Sequence, residues 1–476
     1  MRKVTRIIGV VAICVVLLLS GLLVALTYQP DHSQADYAKG YEIGLEAYTY
    51  GLPLLVTNLT FKTMTSVDVS NGSFGPVNQF NNERTLNGPN STAVVAPGAN
   101  SLSSIAWLDL SKEPQVLHVP QVLDHDYVLA FIDPYTNDIL NLGNVHQTLP
   151  GDYAVVGPDN ITARMPTGVH RIDVNFNRIW IIGSTQLKGS ADTQNVNNIQ
   201  DNYTITPLSH YGTNYHPTTP TNPNTIVHHY QMPTGLGFFD VLGRLLDQFP
   251  PPPADQTELH RLAEVGIGPG MTPTYDPGLN KDILRGLASA VAAGPAHIKN
   301  ETQAQFLNSF DNHNGYLVGG FGDYGTNYQL RAVISEIGLG AFTSDQAIFG
   351  MSWTDRNKLP LMGSTNYTLH MESFPPVVGG WTLTVYNLTG AMINNTIKRY
   401  QLSGSSNLTK NADGSVDIYL QSTQPSDPSR FNNWLPTPSN GQGFEIIWRL
   451  LAPNSADIPS ILNGYGWQPP AVNATT

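Results

Sequence analysis

Tyr127-Val-Leu-Ala-Phe-Ile132 and Arg178-Ile-Trp-Ile-Ile182 are short, almost wholly apolar runs, rich in β-branched and aromatic residues. Ile105-Ala-Trp-Leu-Asp-Leu110 and Val116-Leu-His-Val119 repeat the pattern upstream, and turns rich in Pro, Gly and Asp separate the four. Runs of this length and composition read as β-strands rather than helices. Four of them in close succession predict a sandwich or barrel.

The β signature returns after residue 366, in Tyr367-Thr-Leu-His-Met371, Trp381-Thr-Leu-Thr-Val-Tyr386, Val416-Asp-Ile-Tyr-Leu420 and Glu445-Ile-Ile-Trp448. Asp413-Gly414 ahead of the alternating Val416, Ile418 and Leu420 predicts a hairpin turn. Helical spacing appears at Asp36 to Tyr50, at Phe238 to Leu246, at Thr257 to Val265, at Lys281 to Ala293 and at Tyr328 to Ile337. Pro250 to Pro253, Gly294-Pro295 and Gly338 are the expected stops. The polar stretch Thr213 to Asn224, punctuated by proline, reads as a linker.

The N-terminal segment Ile7 to Thr27 is uncharged and dominated by Ile, Val and Leu. As a helix it would reach roughly 30 Å, one bilayer core. Arg2, Lys3 and Arg6 precede it and no further Lys or Arg follows before Lys39, which orients the N-terminus to the cytoplasm and the rest outside. The expectation is a single-pass membrane protein with an extracytoplasmic ectodomain, the membrane being a partner through this helix. Cleavage of the segment as a signal peptide would make the chain secreted instead.

The expected fold class is therefore mainly β with a helical middle section: two antiparallel β-sandwich-like domains behind an N-terminal transmembrane helix. The boundaries are a basic tip at 1–6, the anchor at 7–27 and an N-terminal sandwich with a leading helix at 28–212. A linker and helical section fills 213–345, and the C-terminal sandwich spans 346–476.

The one cysteine, Cys14, lies inside the apolar span, so the expected ectodomain has no disulfide and no thiolate site. Of the 24 Lys and Arg, three precede the span, leaving 21 against 36 Asp and Glu, a net charge near −15. That balance repels phosphate, and no nucleic-acid partner is expected. Asn-x-Ser/Thr sequons stand at Asn58, Asn71, Asn90, Asn160, Asn202, Asn300, Asn366, Asn387, Asn394, Asn407 and Asn473, the candidate glycosylation sites of an exported chain.

Two sets of residues resemble a known pairing. The first comprises Ala106-Trp-Leu-Asp-Leu110, Tyr127-Val-Leu129, Asp133-Pro-Tyr-Thr-Asn137, Gly151-Asp-Tyr153, Asn177-Arg-Ile-Trp180, Ile199-Gln-Asp201 and Thr206-Pro-Leu208. The second includes Tyr324-Gly325, Arg331-Ala332, Gly338-Leu-Gly340, Trp381, Arg399-Tyr400, Asp413-Gly-Ser415, Asn433-Trp-Leu-Pro436 and Pro469-Pro470. Together they resemble the paired domains of unknown function 1254, N-terminal, and 1214, C-terminal. The resemblance implies two sandwich-like domains in a protein of exported type, and no particular reaction. The chain departs from it after Pro97, where Gly98-Ala-Asn-Ser-Leu-Ser103 stands in place of Asn-x-Asp-Thr-x-Tyr and so lacks a carboxylate and a phenol.

Chemistry is sparse. His-Glu-x-x-His and cysteine pairs are absent, so the metal candidates reduce to His228 and His229 near the linker and to Asp311 in Asp311-Asn-His-Asn-Gly315. Each reads more readily as a solvated loop or polar-turn residue than as a ligand. Gly320-Phe-Gly-Asp-Tyr-Gly325 has dinucleotide-loop glycine spacing without a surrounding βαβ unit, and no cofactor is expected. The candidate ligand-binding set is Asp133, Tyr135 and Asn137 at a strand end, joined by Arg178 or Trp180. Carboxylate, phenol and amide groups suit sugar recognition; the same residues also suit a turn whose Asp caps backbone amides. The function expected is a cell-surface binding or structural protein with a glycan or surface-protein partner. The alternative is an extracytoplasmic glycan hydrolase in which Asp133 and Asp413 pair, so the sequence leaves open whether the chain is an enzyme.

Overall fold

The computed structural model describes residues 33–91 and 95–475. The chain enters through α1 (Ser33–Met64), then builds β1 (Asn81–Asn82), β2 (Ser101–Asp109), β3 (Gln115–Val119), β4 (Tyr127–Ile132) and β5 (Asp138–Gly143). β6 (Gly151–Val156), β7 (Val169–Asp173), β8 (Arg178–Gln186), α2 (Thr193–Asp201) and β9 (Thr204–Pro207) complete the first half. The middle holds α3 (Gly237–Gln248), α4 (Gln256–Ala263), α5 (Lys281–Phe310), β10 (Leu317–Gly319) and α6 (Tyr328–Ile337). The second half follows with β11 (Ala347–Ser352), β12 (Asn366–Met371), β13 (Trp381–Asn387), β14 (Gln401–Ser403), β15 (Val416–Gln421), β16 (Trp434–Pro436), β17 (Phe444–Leu451), α7 (Ile458–Leu462) and β18 (Asn473–Thr475).

Each half contains two open sheets. In the first, β1-β2-β8-β4-β5 faces β7-β6-β3-β9; in the second, β10-β11-β17-β13-β14 faces β16-β15-β12-β18. Neighbouring residues on a strand point to opposite faces, and the five-stranded sheets use both. On β8, Ile179 and Ile181 enter the core between the sheets with Leu129, Phe131 and Val155. Trp180 points the other way, packing with Ile105, Trp107, Ile132 and Met64. On β17, Phe444, Ile446, Trp448 and Leu450 fill the second core, while Ile447 joins the cluster formed by the helices. Strands buried on both faces read as unbroken apolar runs, as these do in the sequence.

The expected fold class requires correction: the fold is mixed α/β with open sheets, not two antiparallel sandwiches. β6 pairs with β7 and β15 with β16 in parallel, and the helices form a central layer of their own. α1 and α5 are longer than their periodicity suggests because each is enclosed on several sides. In α1 every residue from Ala47 to Leu55 is buried, which erases the polar stripe that marks a surface helix. Pro295 lies inside α5 rather than ending it. The two helices approach closely at small residues: a methyl group on Gly40 would strike the backbone of Ile283, and one on Gly286 the backbone of Tyr37 and Tyr41. The Asp413-Gly414 turn leads into β15, but the antiparallel partner of β15 is β12 rather than the preceding strand.

The expected anchor, Ile7 to Thr27, lies outside the described residues. Among the described residues no helix is long and apolar enough to cross a membrane. The two long helices belong to the folded body, and α1 pairs Lys39 with Glu264, and Glu42 and Glu46 with Arg261. The single-pass topology, the membrane as partner and the extracytoplasmic localisation drawn from them therefore find no span in the structure, and these expectations are withdrawn.

Candidate functional site

Where the outer faces of the two five-stranded sheets turn toward each other, they leave a cleft of about 650 Å³. One wall comes from β2 and β8, with Ser101, Ser103, Trp180, Ile182 and Ser184. The other comes from β11 and β17, with Ala347, Phe349, Met351, Ile447 and Leu451. The chain leaving α6, Ile337 to Phe342, closes one end, and 452–456 the other. Gly340 has φ +78°, a bend that favours glycine, and sits directly against the Ile182 side chain of this wall.

The cleft is apolar in its body and sparse in charge. Arg449 and Asp126 are the only charged side chains lining it among the described residues. Asp126 is exposed, at the mouth, whereas Arg449 is half-buried on β17. The Arg449 Nη2 donates to the Ala96 carbonyl, and its Nη1 is buried without a hydrogen-bond partner. The guanidinium rests over the rings of Tyr386 and Phe349, 5.5 and 5.9 Å from their centroids. Tyr386 donates to the Pro97 carbonyl at 2.7 Å, so the loop ahead of β2 in the first half is held against the second. Val95, Val145 and Val378, all exposed, ring the cleft.

The sequence-selected residues divide between this cleft and the interior. Trp180 is a cleft wall; its ring stacks on Trp107 at 4.7 Å, and its Nε1 has no partner. Asp133, Tyr135 and Asn137 are brought together in the turn after β4, where they serve the turn itself. The Asp133 carboxylate accepts from the backbone N–H of Tyr135 (2.8 Å) and Asn137 (2.9 Å) and from the Asn137 amide (2.9 Å). Burial pushes its carboxyl up to about 6, against those hydrogen bonds. Tyr135 is fully buried and donates to the Phe249 carbonyl at 2.7 Å. Arg178 lies on the other side of Phe249, 4.8 Å over its ring, and also covers Phe61 at 3.8 Å while donating to Asn58. Burial pushes the Arg178 guanidinium down to about 10.

Behind that turn sits a cation that sequence reasoning did not single out for chemistry. Arg331 is 1% exposed and lies 5.4 Å from the ring centroids of Tyr50 and Tyr135 and 5.1 Å from that of Tyr328. Asp255 accepts from the hydroxyls of Tyr50 and Tyr328, each at 2.9 Å. These groups form an enclosed polar knot at the junction of α1, α4 and α6. Its sequence signals are an arginine at an inward position of an amphipathic helix and the place of Arg331-Ala332 in the family resemblance.

His228 and His229 are exposed, and Asp311 is exposed with Lys358 3.6 Å away. Among the described residues no group of three or more His, Cys, Asp or Glu is placed to hold a metal ion. Of the sequon asparagines, Asn58 is buried; Asn160, Asn387 and Asn473 are half-buried; Asn71, Asn90, Asn202, Asn300, Asn366, Asn394 and Asn407 are exposed. Asp413 caps its own turn, accepting from the Ser415 N–H and hydroxyl at 3.0 and 2.6 Å. Asp133 and Asp413 thus serve separate turns in different halves, and the expected hydrolase pairing is corrected accordingly. The cell-surface role rested on the anchor and falls with it; the glycan partner rested on Asp133, Tyr135 and Asn137, whose polar groups are spent on their own turn and on the Phe249 carbonyl.

Two pairs of open sheets, a helical layer and a ligand-sized cleft between them define a two-part mixed α/β protein with an interdomain pocket. The chain matches two families described as proteins of unknown function, DUF1254 over residues 77–207 and DUF1214 over residues 346–455. No curated protein matches it. It is similar in fold to the crystal structure of the VPA0106 protein from Vibrio parahaemolyticus, with a TM-score of 0.64 and 20% identity over 92% of this chain and 100% of that one. An uncharacterized protein from Burkholderia cenocepacia aligns over 93% of this chain and 96% of its own with 10% identity and a TM-score of 0.41.

Proposed function

We propose that the protein binds a small, largely apolar molecule in the cleft between its two halves. The observation that carries this reading is the cleft itself: about 650 Å³, walled by Trp180, Ile182, Phe342, Phe349, Met351 and Ile447. Ligand pockets fall in the range of about 300–1,000 Å³, are mostly apolar with a few polar groups, and favour the junctions between domains. Ser101, Ser103, Ser184 and Asn144 supply scattered hydrogen-bonding groups along it.

The test is equilibrium binding of a neutral apolar fluorophore, N-phenyl-1-naphthylamine, to the full chain. Saturable binding with about one site per chain is expected, lost in Ser184→Trp, which places an indole in the cleft from the exposed face of β8. Absence of saturable binding in the parent chain, or binding untouched by Ser184→Trp, removes the reading.

A further inference from the structure

We infer that the ligand of this cleft carries a carboxylate or a similar compact anion on an apolar body, and that Arg449 receives the anion. This deepens the reading of the cleft as a small-molecule site and rests on it. Arg449 lies on the same face of β17 as Ile447 and Leu451, both cleft wall, so an apolar surface leads directly to the guanidinium. No carboxylate forms an ion pair with Arg449 among the described residues. Asp126, the other charged lining residue, stands exposed.

The guanidinium is also short of acceptors. It presents five N–H donors in a planar fork. Nη2 is matched to a neutral acceptor, the Ala96 carbonyl, the Tyr386 hydroxyl offers a second neutral oxygen beside the guanidinium, and Nη1 is buried without a partner. A buried donor left unmatched is costly, and a cation in an apolar site is more so when the acid that feels its charge, Glu445 on the same strand face, is raised by burial to about 7 and forms no ion pair with it. A carboxylate arriving along the apolar wall answers these deficits, because it supplies the missing charge and acceptors suited to a guanidinium. The guanidinium packs over the rings of Tyr386 and Phe349, which confine it before a ligand arrives. A neutral ligand would satisfy the apolar walls and leave this deficit unchanged, and a cationic one would worsen it. Charge at this point therefore sets the ligand class.

The experiment compares dodecanoate, dodecanol and dodecyltrimethylammonium, each below its micellar concentration, for binding to the full chain by calorimetry. Dodecanoate is expected to bind at least tenfold more tightly than dodecanol, with the ammonium weakest. Arg449→Met is expected to bring the dodecanoate-to-dodecanol ratio close to one, and Arg449→Lys to keep part of the preference, since the charge remains and the fork is lost. The inference is overturned if dodecanol binds but dodecanoate binds no better. It is overturned equally if the preference survives Arg449→Met, or if the ammonium is preferred, which would assign the selectivity to Asp126. Failure of dodecanol and of the neutral fluorophore alike would remove the cleft reading itself, a result distinct from failure of the anion preference.

Discussion

Trp107 and Trp180 stand opposite each other in the β2–β8 register and stack face to face, ring centroids 4.7 Å apart and planes 8° from parallel. Both are buried, and both ring nitrogens lack partners, so their contribution is packing. Phe61 closes the pair edge-on at 5.3 Å. Trp180→Ala should cost about 3–5 kcal/mol, the usual range for removing a buried large aromatic, read as a shift in the urea midpoint. Because Trp180 is also a cleft wall, the same variant should weaken binding of N-phenyl-1-naphthylamine. Stability within about 1 kcal/mol of the parent would mean that the stacked pair is not part of the packed interior.

Arg331 is a buried cation whose charge opposes the burial cost that raises Asp133, and it lies against the rings of Tyr50 and Tyr328, which donate to Asp255. Arg331→Met preserves bulk against the three tyrosine rings but leaves the acids without a compensating charge. A loss of about 3–5 kcal/mol is expected, the range seen when one partner of a buried charge set is removed. Asp255→Asn should cost less, since the amide oxygen still accepts from Tyr50 or Tyr328. Equal losses from the two variants, measured by chemical denaturation, would contradict this ordering.

The strands were legible because their signal is local: β4, β8, β13 and β15 form over the runs that the sequence marks out. Strand partners were not, since nothing in the composition of β6 or β15 announces a parallel neighbour. The helices α1 and α5 were read short for a physical reason: consecutive buried residues abolish the 3.6-residue stripe on which the reading depends. The site was half legible. Trp180 was picked out and does line the cleft, yet Asp133 and Tyr135 drew attention for polar groups that the fold spends on a turn and on the Phe249 carbonyl. Arg449 went unread because a charged residue after Glu445-Ile-Ile-Trp448 resembles a strand end, whereas β17 continues through it to Leu451.

Gly286 tests whether the contact between α1 and α5 is as tight as it looks. Its missing side chain faces backbone of α1, which cannot swing aside as a flexible side chain can. Gly286→Val should separate the helices and destabilise the protein by about 3 kcal/mol or more, the upper range for overpacking a close contact. At an exposed helical site, replacing glycine with alanine gains about 1 kcal/mol; Gly286→Ala should instead lower the thermal midpoint. A raised midpoint would show that the helices have room to spare.

Glu445 lies on the same strand face as Arg449, and burial pushes its carboxyl from 4.5 up to about 7, although a hydrogen bond with Trp353 and the charge of Arg449 pull it back. The folded state therefore holds this proton more tightly than the unfolded chain. Its contribution to stability is fully present below about pH 4.5, where both states are protonated, and declines as the unfolded carboxyl ionises alone. By about pH 7 and above it is lost, because the folded protein must then carry a buried anion. Each pKa unit is about 1.4 kcal/mol, so the decline amounts to about 3 kcal/mol across that window. Glu445→Gln removes the titration and should flatten the fall in urea midpoint between pH 5 and 7. The variant should match the parent near pH 4.5 and exceed it at pH 8. A parallel pair of pH profiles would mean that Glu445 is not buried as an acid beside the cleft.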